Sequence, residues 1–93
     1  MAFTFEWDPE KAKENARKHG VTFDEAATAL GDPFGLIVDD PRHSETEPRS
    51  VLLGYSQAGR LLAVMFTERG DRLRLISARP ATRRERRHYE EAR

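Results

Sequence analysis

The run Arg72–Arg79, R-L-R-L-I-S-A-R, carries three guanidiniums in one short stretch. Charged and apolar residues alternate at period 2, so it reads as a strand with Leu73 and Leu75 on one face and Arg72 and Arg74 on the other. Arginine adds little to a pleated core. Such a strand is therefore either a solvated face or a cationic platform for something anionic. Arg74 and Arg79 lead as candidates for the platform, because a guanidinium fixed on a strand matches a phosphate through two parallel N–H bonds. Strand parity points Arg79 with Leu73 and Leu75, so Arg74 and Arg79 share a face only if the strand twists or ends near Ala78. Arg72, next to a turn, reads as a bystander.

Proton transfer needs other groups. His43, Glu47 and Arg49 lie in or beside an acidic loop, and a His and a Glu four apart ahead of an arginine suit a base, an acid and a phosphate clamp. The competing reading is a solvated loop in which Glu47 pairs with Arg49. Lys18 and His19 could bring a cation and a proton carrier to a sheet edge. Cations in the last turn of a helix are also favoured by its macrodipole alone, by about 0.5 kcal/mol each. Cysteine is absent and no His/Asp cluster has metal-ligand spacing, so no metal or other cofactor is expected.

The elements that must position these groups are well punctuated. Phe3 to Trp7 alternates aromatic and polar residues, a half-buried strand. Asp8 and Pro9 open a helix over Pro9–His19, which Gly20 stops. Thr22 and Glu25 have capping-box spacing for a second helix that runs to about Leu30 and is closed by Gly31-Asp32-Pro33. Leu36-Ile37-Val38 is a brief strand entering the acidic loop Asp39–Pro48. Three strands follow, Arg49–Ser56, Leu61–Glu68 and Arg72–Arg79, joined by connections short enough to permit only antiparallel hairpins. Thr82 and Glu85 form another capping-box pair ahead of a helix over Arg83–Ala92. The expected fold is α+β: a small antiparallel meander with an N-terminal helical hairpin and a C-terminal helix, in a single domain over residues 1–93.

With 93 residues the chain can bury one core. Its formal net charge of zero hides a segregation: residues 21–48 hold seven acids against Arg42, whereas residues 71–93 hold eight arginines against four acids. That pattern fits a polyanion-binding face balanced elsewhere, or acidic loops and a basic helix that neutralise each other. No run of 18 apolar residues occurs and no basic-then-apolar leader opens the chain, so a cytoplasmic protein without membrane association is expected.

Several segments are familiar together. Phe5-Glu6-Trp7-Asp8 leads through Lys11 and Asn15 to Lys18-His19-Gly20-Val21, then Phe23 and Glu25-Ala26. Asp32-Pro33, His43, Glu47 and Arg49 precede Gly54, Gly59-Arg60-Leu61-Leu62 and Arg74-Leu75-Ile76-Ser77-Ala78-Arg79, and Ala81-Thr82, Glu85-Arg86 and Tyr89 complete the set. Across essentially the whole chain this resembles the BrnT family of type II toxin–antitoxin toxins, most specifically in the K-H-G-V and R-x-I-S-A-R-x-A-T segments. The resemblance implies a RelE-like fold and an endoribonuclease that arrests translation. It also implies neutralisation by a BrnA-type antitoxin, with operator DNA reached only through that antitoxin.

Metal-free RNA cleavage asks for a base at the 2′-hydroxyl, cations around the phosphorane and an acid at the leaving 5′-oxygen. Arg74, Arg79, His43, Arg49 and Glu47 are placed in those catalytic roles. Lys18, His19, Arg83 and Tyr89 are placed as substrate-binding residues, Tyr89 by stacking on a base, with packing into the sheet as its competing use. A non-catalytic module for antitoxin binding and operon control is the alternative, motivated by the zero net charge and by an acidic segment that repels phosphate.

Overall fold

The structure, a computed structural model, describes residues 4–39 and 49–92. The order of elements is β1 (Thr4–Glu6), α1 (Pro9–His19), α2 (Phe23–Ala29), β2 (Leu36–Asp39), β3 (Ser50–Tyr55), β4 (Leu61–Arg69), β5 (Arg72–Pro80) and α3 (Arg83–Glu91). Local signals act where expected. The Asp8 carboxylate accepts from the Glu10 N–H at 2.8 Å, and Gly20 ends α1 in the left-handed region at φ 68°. Thr22 caps α2 by accepting from the Glu25 N–H, but the reciprocal half of that box is missing. The Glu25 carboxylate instead takes Ser56 and Arg60, tying the β3–β4 turn to the helices.

The strands form one five-stranded sheet, β1-β5-β4-β3-β2. β2 to β5 make the antiparallel meander. β1 departs from it and pairs parallel to β5, at Thr4↔Arg72, Phe5↔Leu73 and Glu6↔Arg74. Both faces of the sheet are covered. Phe23, Ala26, Leu62, Val64, Leu73, Leu75 and Ala78 pack on the side of α1 and α2, whereas Leu53, Leu61, Ala63, Met65 and Tyr89 pack on the side of α3. That explains why β4, Leu-Leu-Ala-Val-Met-Phe-Thr, is buried without alternation: a central strand between two cores has no wet side.

One irregularity decides the geometry of the site. The β4–β5 register slips between Met65, which pairs with Ser77, and Phe66, which pairs with Leu75. Ile76 is the extra residue of a β-bulge. Leu73, Leu75 and Ala78 consequently face the same core although 75 and 78 differ in parity.

Candidate active site

The bulge overturns the expectation that Arg79 points with Leu73 and Leu75. Arg79 pairs with Ala63 and Arg74 with Thr67 across the ladder, and both partners lie on the α3 side in the alternation of β4. Arg74 and Arg79 therefore share one face. Each is held by a carboxylate. Arg74 Nη1 donates to Glu6 Oε2 at 2.9 Å, and Arg72 Nη1 reaches Glu6 Oε1 at 3.3 Å. Arg79 makes a fork to Glu85, with Nη1–Oε1 at 2.7 Å and Nη2–Oε2 at 3.0 Å. Glu85 Oε1 also accepts the Thr82 N–H at 2.9 Å, so the capping box of α3 and the grip on Arg79 are one assembly. Arg74 and Arg79 are about one-third exposed and Arg72 is 59% exposed.

Beyond its three residues of pairing with β1, the outer edge of β5 meets α1. Lys11, Glu14, Asn15, Lys18 and His19 line a cleft of about 180 Å³ there, together with Ile76 and Ser77. Lys18 and His19 thus stand beside the segment of β5 that lies between Arg74 and Arg79. Lys18 Nζ is 3.8 Å from Glu14, a loose pair that leaves the ammonium wet. Arg49 precedes β3 and is half-buried; the register that sets Ser50 against Phe66 carries it on toward Thr67 and hence toward the Arg74 row. His43 and Glu47 lie outside the described residues. Arg83 is exposed on the first turn of α3.

Tyr89 is not a stacking surface. It is 2% exposed, its ring meets Tyr55 edge-on at 5.4 Å, and its hydroxyl donates to Asp32 Oδ2 at 2.6 Å. The ring belongs to the core under α3. Among the described residues no group of three or more His, Cys, Asp or Glu side chains could hold a metal ion, and no helix is long and apolar enough to cross a membrane.

Residues 7–85 match the family model for the ribonuclease toxin BrnT of type II toxin–antitoxin systems. The chain belongs to the BrnT family. Among solved structures, the ribonuclease toxin BrnT of Brucella abortus superposes with a TM-score of 0.67 at 24% identity, covering 88% of this chain and all of that one. At that identity the likeness is one of fold: a BrnT sheet flanked by three helices. No curated protein matches.

Glu6, Glu85, Lys11 and Ser77 stand beside the candidate residues and were not singled out by sequence reasoning as part of the site. Glu85 was legible only as a cap, and the six-residue spacing back to Arg79 was the unused signal. The Arg79 guanidinium, then desolvation and the Thr82 contacts, set the Glu85 carboxyl, and the net result is a value below the ordinary 4.5. Arg79 is correspondingly raised by Glu85. A carboxyl lowered by folding stabilises above its unfolded value and loses that contribution as pH falls through the lowered one. Glu85→Gln should therefore give a shallower loss of stability on acidification below about pH 4.5, in urea unfolding followed from about pH 7 to pH 3. An acid limb unchanged by the substitution would show that the Arg79 fork contributes nothing in solution.

Proposed function

We propose that this chain is an endoribonuclease toxin that cuts RNA without a metal ion, arrests translation in the cytoplasm, and is neutralised by a BrnA-type antitoxin. The supporting observation is that the bulge at Ile76 sets Arg74 and Arg79 on one face of β5, while Lys18 and His19 line the edge of the same segment. Two guanidiniums with donors beyond those facing Glu6 and Glu85 can hold a phosphate and stabilise its extra charge as the phosphorane forms.

The reaction is an internal transfer. The 2′-oxygen bonds to phosphorus, the bond from phosphorus to the 5′-oxygen breaks, and the products are a 2′,3′-cyclic phosphate and a 5′-hydroxyl. A base takes the 2′ proton and an acid gives one to the 5′-oxygen. His19 is within the cleft for one of these roles, and His43 and Glu47, with Arg49 as clamp, remain the assigned partners for the other. Lys18 and Arg83 supply charge to neighbouring phosphates.

The alternative of a non-catalytic antitoxin-binding module is favoured by one observation: both strand arginines already satisfy carboxylates of their own chain. The two readings separate in one experiment. The purified protein should cut RNA in EDTA, and induced expression should arrest growth unless the neighbouring gene product is co-expressed. Intact RNA and unimpaired growth, with tight binding of that partner, would establish the module instead.

A further inference from the structure

The last helix has a second cationic surface that the site on β5 does not use. In α3, Arg-Arg-Glu-Arg-Arg-His-Tyr-Glu-Glu, the residues that face the sheet are Glu85, held by Arg79, and Tyr89, buried against Tyr55. Arg86 is taken by the Tyr55 hydroxyl at 3.0 Å. Arg83, Arg84 and Arg87 point away and are exposed. Other arginines of the described chain have partners: Arg17 with Glu14, Arg60 with Glu25, Arg72 and Arg74 with Glu6, Arg79 with Glu85. Among the described residues, Arg83, Arg84 and Arg87 have no carboxylate within ion-pair distance, and each keeps its five donors. Arg84 and Arg87, three apart and therefore on one side of the helix, line a shallow cleft of about 310 Å³ with His88 and Glu91.

Position favours a nucleic acid over an acidic protein segment as the occupant. α3 packs on the same side of the sheet as Arg74 and Arg79, and its first turn is bonded to Arg79, so the free guanidiniums stand on the helix that adjoins that face. The acids of α2, Asp24 and Glu25, belong to the helix packed on the opposite side. Of the acidic segment, Asp24 and Glu25 are thus separated from the α3 arginines by the sheet, whereas Asp32 is on the α3 side, engaged by the Tyr89 hydroxyl and the Tyr55 N–H. Among the described residues, Glu91 is the one carboxylate in the lining of the cleft formed by Arg84 and Arg87. The match to the family model ends at residue 85, so Arg87 lies beyond the matched residues.

We propose that Arg84 and Arg87 form a distal phosphate-binding track for single-stranded RNA, gripping the strand beside the segment that is cut at β5. The proposal rests on the ribonuclease reading above. Each phosphate neutralised on a single strand releases counterions and contributes about 0.7 to the slope of log affinity against log salt. Arg84→Gln/Arg87→Gln should therefore lower that slope by about 1.4 and weaken binding roughly tenfold at physiological salt. The probe is a fully 2′-O-methylated RNA oligonucleotide, which binds but cannot be cut, titrated into the purified protein at several salt concentrations. Arg84→Lys/Arg87→Lys should restore most of the slope, since the term depends on charge and not on the fork. An unchanged slope and affinity in the glutamine variant, with the parent protein binding the probe, would overturn the track. So would a variant that keeps RNA affinity and loses antitoxin affinity, because an acidic protein segment would then be the occupant. A parent protein that neither binds the probe nor cuts unmodified RNA would overturn the ribonuclease reading itself, and the track with it.

Discussion

Arg74→Ala is expected to slow RNA cleavage by about 10²- to 10³-fold while leaving the fold intact, the scale seen when one fixed donor to a charged transition state is removed. The substitution is structurally mild. Glu6 keeps Arg72 as a partner at 3.3 Å, and the site is part-exposed, so the carboxylate is not stranded. Arg79→Ala should slow cleavage by a similar factor and also cost stability, about 1–2 kcal/mol, because it leaves the half-buried Glu85 facing no cation. Arg79→Lys keeps a charge but cannot reproduce the two parallel bonds to Glu85, and should recover stability better than activity. Arg72→Ala, on the exposed end of the strand, should cut RNA within a few-fold of the parent. Cleavage of labelled RNA, growth arrest on induction and thermal unfolding measure the three effects separately. If Arg74→Ala and Arg79→Ala both fold and both remain toxic, the assignment of the cationic face is wrong.

That pair of residues also shows what the chain discloses and what it withholds. The helices were legible because their signals are local: Asp8-Pro9, Gly20, Thr22 and Thr82 act through hydrogen bonds within one turn. The meander was legible because connections of a few residues leave strands no other way to pair. The bulge was not. With both faces of the sheet covered, Leu75 and Ile76 facing opposite cores is what an unbroken strand would also do, so nothing in Leu-Ile-Ser-Ala announces the extra residue. Parity reasoning then divided two arginines that the fold puts together. The parallel placement of β1 was hidden for a related reason: it depends on where the meander returns, 68 residues beyond Glu6 at Arg74, and not on anything within Phe3–Trp7. Tyr89 and Glu85 were ambiguous because a helix aromatic and a capping glutamate each have a local use that conceals a tertiary one.

The largest effect on stability is expected at Asn15, a polar residue in the middle of α1 that is only 6% exposed. β1 pairs with β5 only as far as Arg74, and the chain turns into α1 at Asp8, so the outer edge of β5 has no strand against Ala78. Asn15 takes that place. Its Oδ1 accepts the Ala78 N–H at 3.0 Å and its Nδ2 donates to the Ala78 carbonyl at 2.8 Å, the two bonds a neighbouring strand would make, while Nδ2 also reaches the Val21 carbonyl at 2.9 Å. Asn15→Ala leaves three buried backbone groups unmet, at a cost of about 3 kcal/mol after partial hydration. For a domain of this size that lowers Tm by roughly 15 °C. Asn15→Asp should be worse than alanine, because its carboxylate keeps the one acceptor contact and turns negative charge toward two carbonyls. The amide of Ala78 should lose its protection from hydrogen exchange in Asn15→Ala, which removes its acceptor. Asn15 also lines the cleft that holds Lys18 and His19, so the same bonds that close the sheet edge set the distance between the α1 cations and β5. A cost below about 1 kcal/mol for Asn15→Ala would mean that water replaces the side chain at the edge, and that α1 is held to β5 by its neighbours alone.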